Sequence, residues 1–593
     1  MSKSLPPGLS WPRALRGVIL GLLITGGAMA TLPGVWSPAV AAPEPAQVEP
    51  ALPLRVADAE LRRIMSSLQG KPDAPYYASY GIVETTMVRI GASNGALGVS
   101  STGRAREADV DVRVGTPELD NTHKIRDASW FESDRRANVS MPIEDDERVI
   151  REQLWQATDD AWRDARRRLT KVLGNEAVKV ERADGSPDFS PAPAERDIQA
   201  PVPLNVDVAA WEGITREVSK VFLEYPEVTD SVVSLTAESE LRMFTSSEGA
   251  LLQQARTRYR VSVMAFGVAE DGMELEVYDY ADAASMDGLP GRAQLLSMAR
   301  AAAKRVVDLR DAPLLEPFTG PAILRGRAAG VFFHEVFGHR AEGHRQKDED
   351  EGQTFTSKVG ELILPDFLSV IDDPNVVQVN KIDLNGHYRY DDEGVRAQRV
   401  ELIVGGVLKN FLLSRAPIKG FPLSNGHGRR QAGNAVVARQ GNLMVEAKKT
   451  MSFDALRAKL LDEVRRQGRP FGLIVDDITG GFTLTGRVIP NSFNVRPVTI
   501  WRVYTDGRPD ELVRGGDLIG TPLNTFSRIL AAGDDVDVFN GVCGAESGWV
   551  PVSATSPSLL LSEIEVQRKE KGNDRPPLLT PPGAPPATVD GAL

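Results

Sequence analysis

The sequence predicts an α+β protein in two parts, a mixed helix and strand N-terminal domain followed by a mostly β C-terminal domain. Three observations carry this reading. Apolar residues recur every three or four positions from Asp146 to Leu173, the period of a helix buried on one side. Apolar and polar residues alternate from Arg258 to Ala265, the period of a strand. Beyond Pro313, short β-rich runs joined by glycine turns replace the helical signals. The chain of 593 residues is too long for one core, and domains of roughly 100–200 residues make two or more the expectation.

In chain order, Lys3, Arg13 and Arg16 precede a short apolar stretch, Val18 to Ala30, and Ala39-Val40-Ala41 offers an A-x-A cleavage site before Ala42. Residues 1–41 therefore read as a signal peptide and the protein as exported, periplasmic or secreted. The stretch is shorter than the roughly 20 residues of a spanning helix; an N-terminal membrane anchor is the alternative. Residues 42–55 form a Pro/Ala/Glu linker, and 56–312 the N-terminal domain. Its long helix buries Ile150, Leu154, Ala157, Ala161, Ala165, Leu169 and Val172 and is expected to stop at Gly174-Asn175.

"DGSPDFSPAPAERDIQAPVP" then reads as a loop. Tyr259, Val261, Val263 and Ala265 form one side of a strand, and a second helix runs from about Ala293 to Leu309. The three prolines of "DAPLLEPFTGP" mark the domain boundary. In the C-terminal domain, 313–568, Gly405-Gly406 and Asp506-Gly507 turn two hairpins, and "SPSLLLSEIEV" is a closing strand. Residues 569–593 are a proline-rich tail with nothing to pack.

Hydrophobic content of 42% and charged content of 25% are ordinary for a globular chain, and the net charge of -12 is spread along it. No basic stripe is available to neutralise phosphates, which excludes a nucleic-acid partner. Cys543 is the single cysteine, so no intrachain disulfide forms. A small buried hydrophobe is the plain reading of such a thiol.

The chemistry concentrates in "HEVFGH", residues 334–339. H-E-x-x-H places two imidazoles on one helix face beside a glutamate general base. Here His339 follows His334 by five positions, which on a regular helix leaves the imidazoles roughly 140° apart. They share a metal only if a π-type turn widens the helix or the helix ends between them, and Gly338 makes either distortion cheap. The alternative is a helix surface, but the apolar approach Val331, Phe332 and Phe333 makes a buried imidazole-carboxylate cluster costly without a cation. A catalytic zinc has three protein ligands and an open position. The third comes from His123, His344, His387, His427 or Cys543, the last flanked by small residues in "VFNGVCGAESGW".

"HEVFGHRAEGH", "YDDEGVRAQRVELIVGGVL", "SNGHGRR", the "CG" at Cys543 and "SPSLLLSEIEVQ" together resemble the TldD/PmbA family of metallopeptidases, over roughly residues 60–568. The resemblance implies a TldD/PmbA-like fold and one Zn2+ per chain on His334, His339 and Cys543, with Glu335 as the catalytic carboxylate. It implies a peptide substrate, short or unfolded, and a dimer with a second copy or with a metal-free PmbA-like relative. The chain departs from the family in carrying His344 where an aspartate is usual, and in its leader, since relatives are usually cytoplasmic.

On this reading Glu335 takes a proton from a zinc-activated water and returns it to the leaving amine. His427, Arg429 or Arg430 of "SNGHGRR" is a candidate oxyanion donor, with a polar turn as the alternative. Glu342 is a candidate partner of a metal-bound imidazole or an alternative ligand, with a solvated helix residue as the plain reading. Asp391 and Asp392 read as turn residues, and Trp155, Trp162 and Arg166 to Arg168 as the two faces of one helix. The rival functions are a non-catalytic scaffold subunit and a zinc amidase.

Overall fold

A computed structural model describes residues 40–41, 48–125, 137–177, 184–487 and 493–569. Nearly all of the expected leader and the proline-rich tail lie outside the described residues. Val40–Ala41 forms a short strand paired with residues 376 and 378.

Four long strands dominate the first half: Tyr77–Ser93, Ala96–Arg113, Asp230–Ser246 and Leu251–Val268. With Glu274–Ala283 at one edge and Ala137–Ser140 at the other they make an antiparallel sheet, to which Arg196–Ile198 adds in parallel. Helices Leu52–Leu68, Glu147–Glu176, Val208–Lys220 and Arg292–Asp311 pack on one face. The alternation of strand side chains explains this: Ala78, Tyr80, Ile82, Val88 and Ile90 all enter the helix-covered cores. Tyr259, Val261, Val263 and Ala265 are buried on that same side.

The long helix begins at Glu147, where the Asp146 carboxylate accepts from the Val149 N–H at 3.0 Å. It buries Thr158 where the sequence reading placed Ala157. The Thr158 hydroxyl donates to the Leu154 carbonyl at 2.6 Å and pairs with the Tyr80 hydroxyl at 2.6 Å, so it is polar yet satisfied. The helix also runs through Gly174-Asn175 to Glu176. The first helix starts at Leu52, inside the expected linker, because Pro53 in the first turn is compatible with a helix.

The second half is mostly β and carries the site. Strand Phe318–Leu324 pairs with Phe471–Thr483 on one side and Leu559–Arg568 on the other. With Phe493–Tyr504 and Gly516–Gly520 between those two, the strands close into a ring. A second sheet runs Val407–Leu408, Val400–Val404, Leu368–Asp372, Asn442–Ala447, Gly548–Ser556 and Asp537–Ala545, the last an edge strand. The hairpin at Gly405-Gly406 closes with Val404 opposite Val407, both glycines at positive φ (53° and 79°). The expected hairpin around Asp506-Gly507 pairs Arg502 with Glu511.

Helix Gly326–Val336 packs against Phe471–Thr483 and against both strands of the edge hairpin, Asp537–Ala545 and Gly548–Ser556. Phe332, Phe333 and Phe337 anchor it against Phe493 and Phe526, with edge and stacked ring contacts at 5.5–6.3 Å. A helix buried along nearly its whole length is held from several directions, and the side chains at its C-terminal end are fixed with it.

Candidate metal centre

Helix Gly326–Val336 ends between the two imidazoles. Phe337 caps the helix with φ stretched to -111°, and Gly338–Ala341 continues as a 3₁₀ turn. The change of pitch brings His339 beside His334, their ring centroids 5.0 Å apart and their planes at 80°. Gly338 serves a different end from the one its sequence suggests. Its φ is not positive, but a Cβ there would lie 1.9 Å from Gln440 Oε1. Glycine is present because Gln440 packs against the turn.

Cys543 comes from the edge strand, opposite Val550 and two residues before the tip of the hairpin. Its Sγ lies 3.3 Å from His334 Nε2 and 3.3 Å from His339 Nε2, and the three donor atoms fall within 4.8 Å of one another. All three residues are buried. Donors on one tetrahedral zinc stand about 3.5 Å apart for N–Zn–S, given bonds of ~2.0–2.3 Å. The donor set and its spacing therefore fit zinc, and two imidazoles with one thiolate match in number the three protein ligands that a catalytic zinc takes. Among the described residues this is the single cluster of His, Cys, Asp or Glu with metal-binding geometry.

Glu335 is buried beside the donors, with Oε2 4.0 Å from His339 Nε2. Burial is the main cause that pushes its carboxyl above the ordinary range. For Cys543 burial alone would raise the thiol. His339, then Arg439 and His334, outweigh it and hold the thiol well below its ordinary value.

Glu342 is fully buried, and its Oε2 accepts from His339 Nδ1 at 3.2 Å. Burial would raise this carboxyl as well, yet His339 and Arg345 bring it down to about 2. A carboxylate on the far nitrogen of a metal-binding imidazole fixes the tautomer and turns the other nitrogen to the metal. Arg345 donates to Glu342 at 2.9 Å and to Glu546 at 2.9 Å. His344 Nε2 is hydrogen-bonded to Glu546 Oε1. His344 thus finds an acid three residues past Cys543.

The other sequence candidates fall elsewhere. His427 is buried and spends its nitrogens on Asn425 and on Asp372 at 3.3 Å. Arg429 donates to the Gln440 carbonyl at 2.6 Å and lies over the Tyr388 ring. Both candidate oxyanion donors brace the segment that carries Arg439 and Gln440: the His427 carbonyl accepts from the Arg439 N–H at 2.9 Å, and Arg429 holds the Gln440 carbonyl. Arg430 pairs with Asp109 at 3.3 Å, across the sheet of the first half. His387 contacts Pro374, and His123 pairs with Asp188 at 2.7 Å. Asp391 accepts backbone N–H bonds from Glu393, Val395 and Gly428, as a turn residue does. The sequence reading missed Arg439, Gln440, Arg345 and Glu546. The nearness of Glu546 to Cys543 and the histidine at 344 were the available signals.

Residues 318–568 match the family model described as PmbA/TldA metallopeptidase C-terminal domain, and residues 201–310 match the corresponding central domain. Together they cover more than half of the chain. The chain belongs to the TldD/PmbA family. A metalloprotease of Methanothermobacter thermautotrophicus is 28% identical over 342 residues, 57% of this chain and 70% of the relative. One of Archaeoglobus fulgidus is 30% identical over 239 residues, 40% of this chain and 51% of the relative. The TldD homolog of Haemophilus influenzae is 28% identical over 250 residues, 42% and 48% of the two chains. The chain spans about half the length of these last two relatives.

TldE from Thermococcus kodakarensis shares the fold at a TM-score of 0.57 and 14% identity, over 86% of this chain and all of that one. A Thermotoga maritima protein does so at 0.57 and 16%, over 86% and 99% of the two chains. These TldD/PmbA-type neighbours and the mixed first half with a mostly β second half agree with the α+β class.

Proposed function

We propose that the chain is a zinc-dependent metallopeptidase acting on peptides or unfolded segments, with His334, His339 and Cys543 as ligands of one zinc and Glu335 as general base. The observation that carries this is the convergence of two imidazole Nε2 atoms on one thiol, each at 3.3 Å, with the Glu335 carboxylate beside them. The relatives' description as metalloproteases supports it. When bound, the zinc supplies a Lewis acid that acidifies water and polarises a carbonyl. Glu335 receives the proton of the attacking water and delivers it to the leaving amine. Glu342 holds His339 in the tautomer that leaves Nε2 free to coordinate.

The donors and Glu335 are each less than 10% exposed, which suits an extended peptide threaded to the site and disfavours a folded surface. The proposal includes export and a dimeric state, with a second copy or a metal-free relative as partner. Retention of the full donor set favours the enzyme over a scaffold subunit. The deciding experiment is Glu335→Gln, which keeps shape and removes the base. Hydrolysis of unstructured peptides should fall by about 10²–10⁴-fold, with zinc content unchanged. Wild-type turnover by the variant would overturn the proposal.

A further inference from the structure

The donors come from two pieces of chain, His339 and Cys543 being 204 residues apart, and something must set the height of one piece over the other. Arg439 spans the gap. Its side chain is fully buried, and its Nη2 donates to the carbonyl of Cys543 itself at 2.8 Å. Its Nη1 donates to Ser547 Oγ at 2.8 Å and to the Gly548 carbonyl at 3.1 Å, so one guanidinium grips both sides of the hairpin tip. On the other side its Nε lies 3.5 Å from Glu342 Oε1, the carboxylate that holds His339. The next residue, Gln440, packs against Gly338 and donates to the His334 carbonyl at 3.4 Å. Two consecutive residues thus reach all three donor residues, two directly and His339 through Glu342.

We propose that Arg439 and Gln440 are the positioning residues of the metal centre, with Arg439 fixing Cys543 in register with the two imidazoles. The proposal rests on the zinc reading above and deepens it. A buried arginine that served the fold alone would be satisfied by any carbonyls within reach. This one gives both ends of its fork to the hairpin that carries one metal ligand and turns its Nε, at 3.5 Å, toward the carboxylate that holds another. A planar fork holds such a geometry and a lysine ammonium does not, so Arg439→Lys keeps the charge and removes the register.

The test uses the full chain loaded with Co2+, whose thiolate-to-metal band reports the sulfur and whose ligand-field bands report the geometry. Zn2+ affinity is measured alongside by competition with a chromophoric chelator. Arg439→Lys should bind Zn2+ about 10–100-fold more weakly and shift or weaken the thiolate band, with the wild-type far-UV spectrum retained. Wild-type affinity and wild-type bands with only a lower melting temperature would overturn the inference and leave Arg439 a structural residue. If Arg439→Lys does not fold, Gln440→Asn decides, since its shortened amide should lower affinity through His334 and an unaltered site would overturn the proposal. A wild-type chain that shows no thiolate band at all would overturn the zinc reading itself, a different result from a normal wild type with normal variants.

Discussion

Gly481→Ala tests the role of Glu335 without touching a metal ligand. Gly481 lies in strand Phe471–Thr483, and a methyl built on it would stand 2.7 Å from Glu335 Cγ, 3.2 Å from Glu335 Cδ and 3.0 Å from the Asn494 carbonyl oxygen. Carbon atoms in contact sit about 3.5–4.0 Å apart, so the glutamate must move by roughly 1 Å. The Asn494 oxygen belongs to the paired strand and blocks retreat of the methyl in the other direction. A 1 Å misplacement of a reacting group costs about 10²-fold in rate, or ~2.7 kcal/mol of barrier. The atoms nearest the new methyl belong to Glu335 and Asn494, so the zinc content should equal that of the wild type. Steady-state peptide hydrolysis, metal analysis and thermal melting on the same preparations check this. An undiminished kcat would refute the placement of Glu335 in the chemistry, and loss of zinc in step with activity would refute its separation from the ligand set.

Asp477 is buried with Oδ2 lacking a hydrogen-bond partner, and burial, with Asp476 and Asp279 adding to it, raises its carboxyl well above the ordinary value against the pull of Arg327. A carboxyl raised in the folded state contributes stability below its unfolded value, and that stability is lost as the pH rises through the folded value. Asp477→Asn should therefore melt like the wild type in acid and above it in alkali; parallel profiles from pH 4 to pH 9 would count against this. Cleavage before Ala42 should give a mature mass beginning at Ala42, without the Val40–Ala41 strand, and a full-length mass in the membrane fraction would instead indicate an anchor.

What the sequence disclosed was what depends on local order. The period of the apolar residues located the helix that begins at Glu147 and the strand around Val261, and the paired glycines 405 and 406 located a hairpin. Periodicity left Ala157 and Thr158 unseparated, because a threonine that bonds back into its own helix packs like an apolar residue. The 140° offset called for a break in the helix, and the break follows Val336. The reason for Gly338 lay in Gln440, about a hundred residues away, and no local pattern reports it. The same holds for the supports of the site. His427 and Arg429 stand out because they cluster in sequence, whereas Arg439 and Gln440, which bond to the carbonyls of Cys543 and His334, and Arg345, which bonds to Glu342, carry no local signal.

The central claim is that one zinc is held by two histidines and a cysteine drawn from distant parts of the chain. Metal analysis of the wild type beside Cys543→Ser addresses it most directly, since it needs no substrate. The account predicts one zinc per wild-type chain, and for the variant a loss of zinc under limiting metal with the fold retained. Full zinc occupancy in Cys543→Ser, or a wild type that holds no zinc, would contradict it.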